Sequence, residues 1–297
     1  MGISKLNELK FQEKLKLAAS YESLDNYLHA IQIYTSLINE DASYIDSYIS
    51  YASLYERMGK IPEALKIIDK LVKSNPGNDY ALLFAAEFNL HYSYWNETLE
   101  IISNLDSKEF PVVDYWFGLC YYNLKEFYSA RDYLEKFSKQ SPDVDRSPEA
   151  TLLLAKTEFE LNNYKIALKY TEKIQYYEPD NWELNLLMAK IFYKLDMYSH
   201  AAQHADKALR NTKNRPEVIE TAAIIYFKSG DIKKAEKFFK LLLETTDNIS
   251  AEVYFYFGAI ETMHKRVDKA RNYLELALKI EPDFGPAIEA LQKLNLN

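Results

Sequence analysis

His200 and His204 stand four residues apart, a spacing at which two imidazoles on one helix face can share a zinc ion. A catalytic zinc needs at least one more protein ligand, and Ala201 after His200 excludes the HExxH arrangement. Both rings lie beside Ala201 and Ala205 and are expected to point outward, so no metal is assigned. Cys120 is the sole cysteine, can form no intrachain disulfide, and lacks a Cys–His motif; it reads as a buried structural thiol. The loops GxxxxGK(S/T), GxGxxG and GxSxG do not occur in a chain with 7 glycines. These residues predict no catalysis and no cofactor. Lys165, Lys169 and Lys173, and Lys233, Lys234, Lys237 and Lys240, read as solvated outer faces of helices.

Bulk composition narrows the function classes further. In 297 residues, 48% are hydrophobic and 27% charged, the balance of a folded soluble protein rather than a disordered one. With 7 Gly and 9 Pro there are too few turn residues for a hairpin-rich sandwich or barrel, and helices joined by short polar links fit better. A net charge of −8 argues against nucleic acid as partner, because phosphate neutralisation needs clustered Lys and Arg. The start MGISKLNELKFQEKLK has no apolar leader core, and no apolar run of about 18 residues suggests a membrane span. With Met1 taken as the native start, the expected location is the cytoplasm.

The elements that position these residues repeat. Ala18, Ala52, Ala86, Gly118, Ala155, Ala189, Ala223 and Gly258 recur at spacings of 34, 34, 32, 37, 34, 34 and 35. Ala30, Ala64, Thr98, Ala130, Ala167, Ala201, Ala235 and Ala270 each follow 12 residues later. Between Ile45 and Asn78, Tyr48, Tyr51, Ala52 and Tyr55 mark one helix face; Ala64, Ile68 and Leu71 mark a second helix, and Asn75-Pro76-Gly77 stops it. Small residues on both helices let the backbones approach, and bulky neighbours fill the remaining space. Asp25-Asn26, Gly59, Asn162-Asn163, Asp196 and Gly230-Asp231 read as the turns within pairs.

This pattern resembles the tetratricopeptide repeat (TPR) family. Unit 45–78 is a close match; 251–284 matches through Tyr254, Phe257, Gly258, Ala270, Leu274 and Pro282, with Glu261 in place of the aromatic; and 111–144 matches through Phe117, Gly118, Tyr121, Ala130, Leu134 and Pro142. Weaker units run 11–44, 79–110, 148–181, 182–215 and 216–249. The third unit is two residues short before Pro111, and an insertion near Asp145-Arg146-Ser147 adds three residues, so distorted stacking is expected at both. Residues 1–10 form an N-terminal helical extension, and 285–297 a capping helix with Ile288 and Leu291 on its packing face and Gln292 at the small-residue position. The resemblance implies an all-α, right-handed superhelical solenoid of about eight units.

In proteins similar to this one, the first helices line a concave surface that binds peptides or partner helices. With Leu17, Ala18 and Tyr21 taken as the interior stripe, the face about 120° away holds Leu15, Ala19 and Glu22. Its later equivalents are Tyr115, Leu119 and Tyr122; Leu152, Lys156 and Phe159; Leu186, Lys190 and Tyr193; and Glu220, Ile224 and Phe227. Such a groove suits a protein segment with apolar anchors and an acidic group. On the alternative reading these side chains pack between repeats. The family's two-carboxylate clamp for chaperone tails finds Leu15, Ala19, Ser50, Tyr80 and Phe84 at its positions, so an EEVD tail is not expected. The leading expectation is a protein-binding scaffold. Self-association through repeat ends or the convex face, and a regulatory role beside a catalytic subunit, stand as alternatives that leave the oligomeric state open.

Overall fold

A computed structural model describes residues 2–140, 147–212 and 214–295, with side chains at 8–140, 147–212 and 214–294. Every regular element among these is an α-helix. The chain divides into two compact units, Met1–Asp145 and Arg146–Asn297, and each is a helical-repeat solenoid. The division falls at the insertion read from the sequence. Pro142, Asp145 and Arg146 lie outside the described residues.

In the first unit the helix pairs are α1 (Gly2–Ser23) with α2 (Tyr27–Glu40), α3 (Ile45–Arg57) with α4 (Ile61–Ser74), α5 (Asp79–His91) with α6 (Trp95–Ile102), and α7 (Val112–Asn123) with α8 (Phe127–Gln140). The second unit pairs α9 (Pro148–Glu160) with α10 (Tyr164–Gln175), α11 (Trp182–Lys194) with α12 (Tyr198–Arg210), α13 (Pro216–Lys228) with α14 (Ile232–Thr245), and α15 (Ala251–Met263) with α16 (Val267–Ile280). The single helix α17 (Gly285–Asn295) follows. α1 runs without a break from the extension into the first pair. α6 has only 8 residues, where α4 and α8 have 14, which accounts for the shortened third unit.

Both ladders of small residues are buried along their whole length. At Gly118 an added Cβ would stand 2.5 Å from Leu134 Cγ, and at Gly258 2.7 Å from Leu274 Cγ, so glycine is what lets those helix pairs close on a γ-branched side chain. Tyr51 and Phe257, one residue before the small position, pack on the preceding pair: Tyr51 lies 5.8 Å from Tyr34, and Phe257 5.4 Å from Phe239. Leu17 occupies the same position yet is 50% exposed, contrary to the interior assignment. It lies on the first described helix, where no earlier pair covers it among the described residues.

Seven residues after each small position the chain takes a left-handed conformation: Asp25, Gly59, Ser93, Lys125, Asn162, Asp196, Gly230 and Lys265 all have positive φ. The next amide reaches back to close the turn, as Asn26 N–H does to the Tyr21 carbonyl at 2.9 Å and Glu126 N–H to that of Tyr121 at 2.8 Å. Gly, Asn and Asp adopt this conformation at low cost, whereas Lys125 at φ 64° carries a Cβ penalty. Lys125→Gly is therefore expected to stabilise the protein by about 1 kcal/mol, offset in part by glycine's greater entropy in the unfolded chain. Chemical denaturation checks this: a midpoint raised without a change in slope is the expected result.

Candidate functional site

The residues read from the sequence as an inner face in the second unit sit on α9, α11 and α13, and α15 follows them. Local sequence starts these helices cleanly. The side chains of Ser147, Asn181 and Ser250 accept hydrogen bonds from the amides of Ala150, Leu184 and Val253, and prolines open α9 and α13. Each also carries a glutamate in its first turn, Glu149, Glu183, Glu217 and Glu252, which suits the positive helix end.

On α9, Leu152 and Phe159 are half-buried; Leu152 packs beside Ala155 and Leu187, and the Phe159 ring lies 5.4 Å from Tyr164. Lys156 Nζ donates to Glu183 Oε2 of α11 at 2.7 Å, an ion pair between successive first helices. On α11, Lys190 is half-buried and forms no ion pair among the described residues. Leu186 departs from the expectation that its face is open. It is 7% exposed and packs with Ala208 and Val218, serving the junction to the next pair.

Farther along, Tyr256 on α15 is buried and packs against Phe227, one of the candidate residues. Its hydroxyl donates to Glu252 Oε1 at 3.3 Å, its ring centre lies 4.9 Å from Phe227, and Lys228 Nζ stands 5.9 Å from that centre. Burial, first of all, raises the pKa of both Tyr193 and Tyr256, so both remain neutral phenols at physiological pH. Ile224 packs half-buried against the core of this unit. Sequence reading missed Tyr256 because it stands one residue off the equivalent position. It also missed Glu183, although first-turn glutamates recur at the repeat spacing.

Tyr115, Leu119 and Tyr122 belong to the first unit and are all half-buried there. Tyr115 lies 5.5 Å from Phe137, and Tyr122 5.7 Å from Phe127.

The residues with chemical potential take structural roles. Cys120 is buried against Thr98, and burial pushes its thiol up to about 12, which leaves it protonated and unreactive. His204, expected outside, is 8% exposed and stacks on Phe192. Asn185 donates from Nδ2 to the carbonyls of Pro179 and Asn181, so its Oδ1 is the atom that accepts from His204 Nδ1 at 3.0 Å. His200 remains exposed, 5.3 Å from Phe192. No cluster of three or more metal-ligating side chains occurs among the described residues.

Burial, with Lys207 and His200 nearby, lowers His204 from 6.5 to about 4. The unfolded chain binds this proton more readily, so His204 contributes its full stability above about pH 6.5 and loses it progressively as pH falls towards 4. Melting temperature measured across that window should fall less steeply for His204→Gln than for the native chain. Parallel curves would contradict the assignment.

The paired helices, the buried ladders of small residues and the left-handed turn in every pair define an α-helical repeat protein. Tetratricopeptide repeat models match residues 45–78 and 113–143, and the chain is a tetratricopeptide repeat protein. It is 26% identical over 204 residues to the anaphase-promoting complex subunit CDC16 of Saccharomyces cerevisiae, covering 65% of this chain and 24% of that protein. To the Hsp70-Hsp90 organizing protein of Triticum aestivum it is 24% identical over 288 residues, covering 95% of this chain and 43% of that protein. The chain thus spans less than half the length of these relatives. Among solved structures, the APC/C hetero-tetramer Cut9-Hcn1 superposes with a TM-score of 0.65 at 17% identity, over 90% of this chain and 52% of that one, a likeness of fold. No helix among the described residues is long and apolar enough to cross a membrane.

Proposed function

We propose that this chain is a non-catalytic scaffold that takes up a segment of a partner protein on the inner face of α9 and α11. Tetratricopeptide repeats in general mediate protein–protein interaction and complex assembly. The observation that carries the finer reading is Lys190, half-buried and without an ion pair among the described residues, on the helix that packs beside half-buried Phe159. A segment with an apolar anchor over Phe159 and Leu152 and a carboxylate at Lys190 answers this surface. Lys156 is engaged by Glu183 and would join only by exchanging that partner. A chaperone tail is not part of the proposal, because the clamp positions hold Leu15, Ala19, Ser50, Tyr80 and Phe84. The cytoplasm is the proposed location, a reading supported by the use of a single cysteine, which can form no intrachain disulfide.

The test compares the proteins retained from the native host by the immobilised chain, by Lys190→Glu, and by Lys173→Glu on the exposed face of α10. A partner kept by the native chain and by Lys173→Glu but released by Lys190→Glu supports the groove. Identical retention by all three would overturn it.

Self-association through the N-terminal end is a second reading, favoured by Leu9, Leu17, Leu24 and Leu28, which are 57%, 50%, 75% and 75% exposed. Sedimentation over a range of concentrations distinguishes it: a monomer at all concentrations removes it.

A further inference from the structure

Three residues after each small position on a first helix stands the side chain that fills the space towards the paired second helix. It is aromatic in five pairs, as Tyr21, Tyr55, Tyr121, Phe192 and Tyr226. Three pairs carry a polar residue there. Glu158 accepts a hydrogen bond from Asn163 Nδ2 at 2.7 Å, and Glu261 pairs with Arg266 at 3.1 Å. Asn89 is the third. It is 5% exposed, and its Oδ1 is buried with no hydrogen-bond partner among the described residues. A buried unpaired acceptor is costly, and in the two other pairs the chain itself supplies the donor.

Asn89 lines a cleft of about 480 Å³ between α4 and α6, where a short second helix and a missing aromatic ring leave room. Its walls are apolar at Leu65, Ile68 and Ile101. Its polar lining is acidic in excess: Asp69 is paired with Lys73 at 2.6 Å, whereas Glu97 and Glu100 are exposed and form no ion pair among the described residues. An acceptor without a donor, apolar walls and two carboxylates without cations call for one chemistry. We propose that this cleft binds a small aliphatic amine in its ammonium form, with an N–H donated to Asn89 Oδ1, methylenes against Ile68 and Ile101, and the charge balanced by Glu97 and Glu100. The size suits a small molecule, since pockets of this kind run from about 300 to 1,000 Å³.

The test follows methyl resonances of Leu65, Ile68 and Ile101 in the full chain during titration with 1,4-diaminobutane, n-butylammonium and n-butanol. Both amines are expected to give saturable shifts confined to the cleft, with a Kd on the order of 1 mM for ligands of this size. Butanol, which lacks the charge, should bind roughly tenfold more weakly or not at all. Asn89→Phe restores the aromatic found in five other pairs, should keep the helical circular dichroism spectrum, and should abolish the shifts. Glu97→Gln with Glu100→Gln changes only exposed side chains, so it should fold normally and weaken amine binding at least threefold, with less dependence on salt. A titration with Nα-acetyl-lysine amide asks whether the cation comes from a protein side chain instead; tighter binding of that probe than of butylammonium would overturn the free-amine assignment. Unsaturable shifts, or amine binding unaffected by both variants, would overturn the site.

Discussion

Phe239→Ala is expected to lower the stability of the second unit by about 3–5 kcal/mol, the range for removing a fully buried phenylalanine. Its ring is 0% exposed and lies 5.8 Å from Tyr256, nearly parallel, and 5.4 Å from Phe257. Those contacts run from α14 to α15, so the cavity opens at the junction between two pairs. In a repeat array stability is approximately a sum of unit terms and nearest-neighbour terms, and losing one junction uncouples the units on either side. The melting curve should therefore broaden as well as shift, since cooperativity across that junction is weakened. Circular dichroism melting checks this; a shift of less than about 1 kcal/mol would mean that the junction collapses around the smaller side chain.

Removing residues 285–297 should be nearly as damaging. α17 lays Ala287, Leu291 and Leu294 against Leu274, Ala277 and Ala251, and none of the last three is more than 4% exposed in the intact chain. Burying a leucine-sized side chain is worth about 1.5–3 kcal/mol, so loss of the half-buried leucines with exposure of Leu274 is expected to cost about 3–5 kcal/mol. The truncated chain should also bind a hydrophobic dye and aggregate, as an uncapped repeat end presents an apolar face. Gln292 is exposed, in keeping with an outer face that meets water. Unchanged melting with no dye binding would mean that α17 contributes nothing.

The helix pairs were legible because close approach of two helices demands small residues at fixed intervals, and both ladders are written in Ala, Gly and Thr98. Turns were legible only where the residue type favours a left-handed conformation, as at Asp25, Gly59 and Gly230. Ser93, Lys125 and Lys265 adopt it because the fixed register of two packed helices overrides local preference. His204 was misplaced for a related reason: Ala201 and Ala205 on the same helix hid a side chain that turns inward to Asn185 and Phe192. The candidate site was legible only as a set of equivalent positions. Periodicity states which residues share a face, whereas the contact of Phe227 with Tyr256, on successive first helices, depends on how the helices stack in space.

The central claim is that the inner face of α9 and α11 binds a partner segment, and one paired measurement tests it most directly. Affinity for the captured segment and melting temperature are determined on the same preparations of the native chain, Phe159→Ala and Lys190→Glu. Truncating a central aromatic of an interface commonly costs about 2 kcal/mol, or roughly thirtyfold in Kd. Phe159→Ala should show that loss with a comparatively small change in melting temperature, since its ring is only half-buried. Lys190→Glu should lose affinity with no change in melting, and its residual binding should depend less on salt. If Phe159→Ala instead melts several degrees lower yet binds the segment with native affinity once folded, Phe159 serves packing between repeats and the groove is not the binding site.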